Sequence, residues 1–313
     1  MDERDEKKIN SLIMDMLDED DDGRRQYLAD NILEIDPGNP VAKYIKWQSI
    51  DDPDALHDTT LLEEAINSLR PEIESLDEPM DDESDIWPIY VAMLADLASC
   101  LYISGDRDRA LEAASEFMKL DRDGGMIGRA IYYAILTERG DFEEVIRAAD
   151  DDMYETLPGE YCRAIAVFEQ DGFGEESARY LLDAISLDPD IPYYILGLWT
   201  IDGEIEDSGN DDGYIEDMMI AVSVLSEIWS ANEERLAFLS AIAFAFGYIT
   251  GRVESPEDME MIEESCRELG CLEDIKESRD IIHAMLAAGK DQEETDEKAI
   301  FMFRENGYFG MID

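Results

Sequence analysis

Only two side chains in this sequence, His57 and His283, could act as a general base near neutral pH without a large shift of their pKa. His57 stands among aspartates, which is typical of a solvated surface loop. His283 has apolar neighbours on both sides, which indicates the edge of a helix packing face. The sequence also lacks the phosphate-binding, dinucleotide-binding, serine-hydrolase and zinc-helix motifs. We therefore predict that the protein is not an enzyme and holds no cofactor.

Two acidic stretches match the first half of an EF-hand calcium loop. In residues 18–29, aspartates fill the first three ligand positions and Gly23 stands at the turn, but Ala29 replaces the glutamate that closes the site. Residues 208–219 have a similar order, and Met219 stands in the last ligand position. Because each stretch lacks a closing ligand, we predict no specific metal site and only a diffuse attraction of cations.

Four cysteines, at positions 100, 162, 266 and 271, are too few for a disulfide framework in a chain of this length. Cys266 and Cys271 flank Gly270 and could lie close together at a helix end. A zinc site would need two more ligands, which the neighbouring sequence does not supply. We expect reduced thiols that are buried or half-buried, in a cytoplasmic protein.

Apolar residues are interpreted as core. The longest apolar run, 236–249, is interrupted by Ser240 and is shorter than the roughly 18 to 20 residues of a membrane span, so it predicts a buried helix. Methionines are interpreted as core residues that fill gaps, and a methionine-rich binding surface is the alternative. The methionines concerned are at positions 14, 16, 218, 219, 259 and 261.

The charge of the chain excludes two classes of ligand. Its 313 residues include 79 acidic and 25 basic side chains, which gives a formal net charge of −54. A surface this acidic repels the phosphates of nucleic acids and anionic membranes. Because 45% of the residues are hydrophobic, the chain can nevertheless bury a core. Adaptation to a high internal salt concentration is a second explanation of the charge.

Helices must position whatever site the protein has. Apolar residues recur at spacings of three and four, which predicts amphipathic helices at 86–101 and 110–118, on either side of Gly105. The same pattern recurs around Gly140 and Gly172, and the three glycines are 35 and 32 residues apart. Two helices joined by so short a turn lie antiparallel. Since no segment shows the sustained two-residue alternation of a sheet, we predict an all-α chain.

Further helices are predicted on both sides of this block. They span 27–35, 41–50, 61–76, 214–230, 233–248, 256–269, 272–288 and 294–305. The acidic segments 77–85 and 202–213 are predicted connectors. The resulting organisation has N-terminal helical hairpins in 1–80, repeats in 86–200 and C-terminal helical hairpins in 214–313.

The glycine period resembles that of the tetratricopeptide repeat, a helix-turn-helix unit of about 34 residues. When the glycines are aligned, Pro189 matches the family's closing proline, whereas Arg122 and Leu157 depart from it. Tyr133 stands where the family prefers a small residue. The resemblance covers residues 86–190. It implies an α-solenoid of antiparallel helical hairpins wound into a right-handed superhelix.

The resemblance also implies a binding groove, because the first helix of each repeat lines a concave surface in this family. Only Arg163 is cationic there, so the clamp by which some members hold a peptide carboxylate is not expected. The groove is small and apolar, and the chain's own helices could equally fill it. Its residues are Ala95, Asp96, Ser99, Tyr102, Ala130, Ile131, Ala134, Cys162, Arg163, Ala166 and Glu169.

Together these features predict a non-enzymatic interaction scaffold or adaptor. Its partner would be a protein or peptide, basic or amphipathic, that the acidic field attracts. The alternative is an acidic decoy that mimics nucleic acid and occupies a basic DNA-binding protein. Such a decoy needs carboxylates in ordered rows, whereas a solubilising charge needs them only to be spread out.

Overall fold

The computed structural model describes residues 3–17, 19, 21–50, 58–76, 86–200 and 212–307. These residues form sixteen α-helices and no β-strand, which confirms the all-α prediction. The helices are α1 (Glu3–Leu17), α2 (Asp22–Ile35), α3 (Pro40–Gln48), α4 (Thr60–Ser75), α5 (Ile86–Ile103), α6 (Arg107–Leu120), α7 (Met126–Arg139), α8 (Phe142–Asp151), α9 (Leu157–Asp171), α10 (Glu175–Leu187), α11 (Ile191–Ile195), α12 (Asp212–Ser230), α13 (Glu233–Thr250), α14 (Pro256–Leu269), α15 (Leu272–Ala287) and α16 (Gln292–Glu305).

Helices α2 to α10 and α12 to α16 lie where the apolar spacing predicts them. Helices α1 and α11 were not predicted. The signal for α1 is nevertheless in the sequence, since Ile9, Leu12, Ile13 and Met16 have helical spacing. Ile9 and Met16 are buried in a cluster with residues of α2 and α3.

The three turn glycines adopt backbone angles that favour glycine. Their φ values are 84° at Gly105, 74° at Gly140 and 79° at Gly172. An L-residue is strained at such angles, so glycine allows each helix to end and the next to begin after a short turn. Helices lie on both sides of each glycine, as expected, and the two helices that flank Gly105 and the two that flank Gly172 pack against each other.

The chain forms two compact units, Met1–Tyr132 and Tyr133–Asp313, which we call unit 1 and unit 2. The division falls inside α7. In unit 1, consecutive helices from α1 to α6 pack against each other. One helix of the described residues, α5, is long and apolar enough to cross a membrane by length and composition. Half of it is buried in the fold, and a core helix meets the same criterion.

In unit 2, packing extends beyond chain neighbours. Consecutive helices pack from α8 to α10 and from α11 to α16, and α16 also contacts α10 and α13. Helix α13 lies at the centre, because it touches α10, α11, α12, α14, α15 and α16. The predicted buried helix at 236–249 is part of α13, in which one face is buried from Phe238 onward and every residue is buried from Ala245 to Thr250.

Several sequence features lie outside the described residues. These are His57, the segment 77–85 and residues 202–211, which include the first four positions of the second calcium-like stretch. Asp18 and Asp20 of the first calcium-like stretch lie outside them too. The three-part organisation 1–80, 86–200 and 214–313 stays a prediction.

Candidate binding groove

The predicted groove residues of α5 are largely covered by the chain itself. Ala95 and Tyr102 are buried, and Asp96 and Ser99 are half-buried. The Asp96 carboxylate accepts a hydrogen bond of 2.7 Å from the Tyr44 hydroxyl on α3. A partner would have to displace such contacts to reach this surface.

The predicted groove residues of α7 and α9 are similarly enclosed. The five small or apolar ones, Ala130, Ile131, Ala134, Cys162 and Ala166, are all buried.

The two charged residues of α9 are occupied by ion pairs within unit 2. Arg163 pairs with Asp150 at 2.5 Å, and Glu169 accepts hydrogen bonds from Arg235 and Asn232. Binding of a partner at these positions stays a prediction.

A different surface of unit 2 forms an open apolar groove between α13 and α14. Its volume is about 460 Å³. Each helix contributes a stripe of residues at spacings of one and three, which spans two turns or about 12 Å. The groove is lined by Phe173, Ala237, Ser240, Ala241, Phe244, Ala245, Met261, Ile262, Ser265, Cys266 and Leu269.

Burial separates the bottom of this groove from its edges. Ala245, Ile262 and Cys266 are buried and form the bottom. Met261 and Leu269, each 51% exposed, form one edge along α14, and Phe173, 38% exposed, stands at another. Small side chains line most of the α13 side, so another chain can approach the helix backbone closely there.

Aromatic packing fixes the position of Phe173, which lies in the turn between α9 and α10. Its ring lies 5.2 Å from that of Phe238 on α13. Phe238 in turn stacks on Phe168 at 4.8 Å and contacts Trp229 on α12 at 6.1 Å. Because Phe238 and Trp229 are fully buried, this cluster holds the edge of the groove against the core.

The turn between α13 and α14 is held by a buried cation. Arg252 donates to both carboxylate oxygens of Asp296 on α16, at 2.6 and 2.8 Å, and to Asp190 at 2.7 Å. Burial disfavours the cation, but these carboxylates outweigh that effect and raise the pKa of Arg252 above its ordinary value. The bidentate geometry ties the turn that joins α13 and α14 to α16.

Local sequence sets both ends of α14. The Ser255 side chain accepts from the Asp258 amide at 3.5 Å, and Pro256 occupies the first turn. At the other end Gly270 has a φ of 81°, and the Cys271 amide donates to the Cys266 carbonyl at 2.9 Å. These signals explain why the predicted bounds, 256–269, are those observed.

The surroundings of the groove are acidic. Together α13 and α14 carry eight carboxylates, two in α13 and six in α14, against two arginines. Glu264 and Glu268 are exposed and, by helical spacing, lie beside the apolar stripe of α14. Glu233 and Glu234 are exposed at the start of α13, one turn before Ala237.

Cys266 lines the groove, but its thiol is not in a reactive form. All four cysteines are free, and burial raises the pKa of the Cys266 thiol to about 12. Such a thiol is a poor nucleophile at neutral pH. Within the described parts of the chain, no cluster of three or more histidine, cysteine or acidic side chains could hold a metal ion. His283 is exposed on α15.

No protein-family model matches the chain, and no curated protein is significantly similar to it.

The methionines give the one sequence signal for this groove. Met16 and Met218 are buried, as predicted, but the core interpretation is wrong for Met14, Met219 and Met261, which are 52%, 42% and 51% exposed. They lie on the outer faces of their helices. Of these three, Met261 lines the groove, which agrees with the alternative of a binding surface.

Proposed function

We propose that this protein is a non-enzymatic interaction scaffold that binds a protein or peptide in the α13–α14 groove. The apolar groove carries this proposal. Exposed apolar patches with a polar rim mark interaction sites in proteins, and this one lies in a chain with a net charge of −54.

The finer description, an α-solenoid similar to tetratricopeptide repeats, remains part of this proposal. Its support is the consecutive packing of α1 to α6 in unit 1 and the positive φ of the three turn glycines. Repeat proteins of this kind act mainly as binding surfaces.

The partner is expected to be basic or amphipathic. Carboxylates around the groove attract cationic side chains, and the lining accepts apolar ones. Nucleic acids and anionic membranes are not expected to bind, and a cytoplasmic location stays a prediction.

A pull-down with matched variants tests this function. The full chain, Leu269→Arg and Leu198→Arg are immobilised and exposed to the same lysate. Leu198 is the control, since it is 48% exposed in unit 2 and does not line the groove. We expect the full chain and Leu198→Arg to retain the same proteins at low salt, and Leu269→Arg to lose them.

Two results would contradict the proposal. Retention that is identical for all three chains would place binding elsewhere. If all three chains retain DNA-binding proteins, and added DNA displaces those proteins, the decoy alternative is supported instead.

A further inference from the structure

We infer that the occupant of the α13–α14 groove is a single amphipathic helix with lysines or arginines beside its apolar face. This inference depends on the proposed function, because it names the kind of partner that the same groove takes. It follows from three properties of the groove: its shape, its few polar groups and its charge.

The shape suits a helix. Helices α13 and α14 are joined by the five residues 251–255, so they lie antiparallel, and the groove runs between them. A third helix can pack into a groove between two helices at an axial distance of about 8–10 Å. The small side chains of Ala237, Ser240 and Ala241 allow that approach on the α13 side.

The polar groups of the lining argue against an extended peptide. An extended peptide needs partners for its backbone N–H and C=O groups, which a sheet edge would supply. Here the hydroxyls are already used: Ser240 donates to the Leu236 carbonyl at 2.7 Å and Ser265 to the Met261 carbonyl at 3.0 Å. A helix satisfies its own backbone and needs no such partners.

The length of the groove sets the pattern of the partner. Two turns of lining on each helix accept apolar side chains at positions i, i+3 or i+4, and i+7. The sides of the partner's apolar residues would be covered by the edges of the groove, which are Met261, Leu269 and Phe173.

The charge sets the flanks of the partner. Glu264 and Glu268 are exposed beside the apolar stripe, so residues that border the partner's apolar face would lie near carboxylates. Lysine or arginine is favoured there and glutamate is disfavoured. Association should consequently weaken as salt is added.

Designed peptides provide the test, with fluorescence anisotropy of a labelled peptide as the readout. The probe is a helical peptide with leucines at i, i+3, i+4 and i+7, flanked by lysines. One comparison peptide has glutamates in place of the lysines. A second has the composition of the probe but alternates apolar and polar residues, so that it has no helical stripe. We expect both to bind at least about tenfold more weakly than the probe.

Variants of the chain locate the binding. Leu269→Arg should weaken the probe at least about tenfold, while Leu198→Arg stays within about twofold. The double change Glu264→Lys and Glu268→Lys should weaken the lysine peptide and strengthen the glutamate peptide. Its control is Glu293→Lys with Glu297→Lys, an exposed pair at the same spacing on α16. Circular dichroism of each variant checks that the fold is retained.

The possible failures distinguish the two proposals. If the alternating peptide binds as tightly as the probe and Leu269→Arg abolishes both, the groove takes an extended chain, so the helix inference is wrong and the proposed function stands. If the probe binds equally to Leu269→Arg, the groove is not the site and both fail. If no peptide binds but an apolar dye does, and Leu269→Arg removes it, the groove is a small-molecule site and both fail.

Discussion

Loss of the Arg252 guanidinium should destabilise unit 2 and loosen the groove. This side chain is 10% exposed, and Asp296, which it binds through two hydrogen bonds, is 9% exposed. Replacement by methionine keeps most of the apolar stem but leaves the Asp296 carboxylate buried without its cation. Breaking a buried ion pair in this way costs about 3–5 kcal/mol.

The expected cost translates into a large thermal shift. For a unit of 150–250 residues, each kcal/mol lowers Tm by about 2–4 °C, so Arg252→Met should lower it by about 6–20 °C. Urea unfolding followed by tryptophan fluorescence measures the free energy, because Trp229 of unit 2 is fully buried. Binding of the designed peptide should weaken in parallel, since Arg252 lies in the turn that joins the two groove helices.

Arg179→Met is the matched control. Arg179 pairs with Glu176 and Asp183 at 3.8 and 3.6 Å on the exposed surface of α10, where its side chain is 45% exposed. Its loss should cost less than about 1 kcal/mol. The double variant Arg252→Met with Asp296→Leu should recover much of the stability, because the buried carboxylate that loses its cation is then removed as well. If Arg252→Met costs no more than Arg179→Met, the buried pair does not hold this turn.

Three further predictions concern backbone, pH and salt. Gly172→Ala should lower the free energy of unfolding in urea by about 1–3 kcal/mol, because the φ of Gly172 is 79°. The control Gly38→Ala should cost little, since its added methyl meets only the Asp36 carboxylate at 3.4 Å. Equal losses in the two variants would contradict the assignment of strain to Gly172. Burial raises the pKa of Asp188 above its ordinary value of 3.8, so the ionised carboxylate opposes folding as pH rises through the folded-state pKa. Asp188→Asn should therefore raise Tm at pH 7 and give no gain near pH 3. A gain in Tm at both pH values would refute this cause. Raising NaCl from about 0.05 to about 1 M should raise Tm, since it shortens the screening length to about 3 Å; an indifferent Tm would show that self-repulsion of the carboxylates is not limiting.

The helices could be predicted because their signals are local. The start of α14 is marked by Ser255 and Pro256 and its end by Gly270, and each of these residues lies within one turn of the helix end that it marks. Helical spacing and turn glycines act over a few residues, so a single sequence is sufficient to read them.

The groove could not be predicted because its geometry is set by distant contacts. Arg252 binds Asp296 across 44 positions of sequence, and Phe173 approaches α13 from the turn after α9. Because the sequence does not show those contacts, it predicts only that Ala237 and Ala241 belong to one apolar helix. Their exposure follows from which face α13 turns to its neighbours, which is a property of the packed unit.

The methyl spectrum of the methionines tests the central claim most directly. Met261 lines the groove, whereas Met153 is 68% exposed in unit 2 and does not line it. Titration with the lysine-flanked helical peptide should shift the Met261 methyl resonance in NMR spectra and leave that of Met153 unchanged. A shift of Met153 without a shift of Met261, at peptide concentrations that saturate binding, would contradict a binding site between α13 and α14.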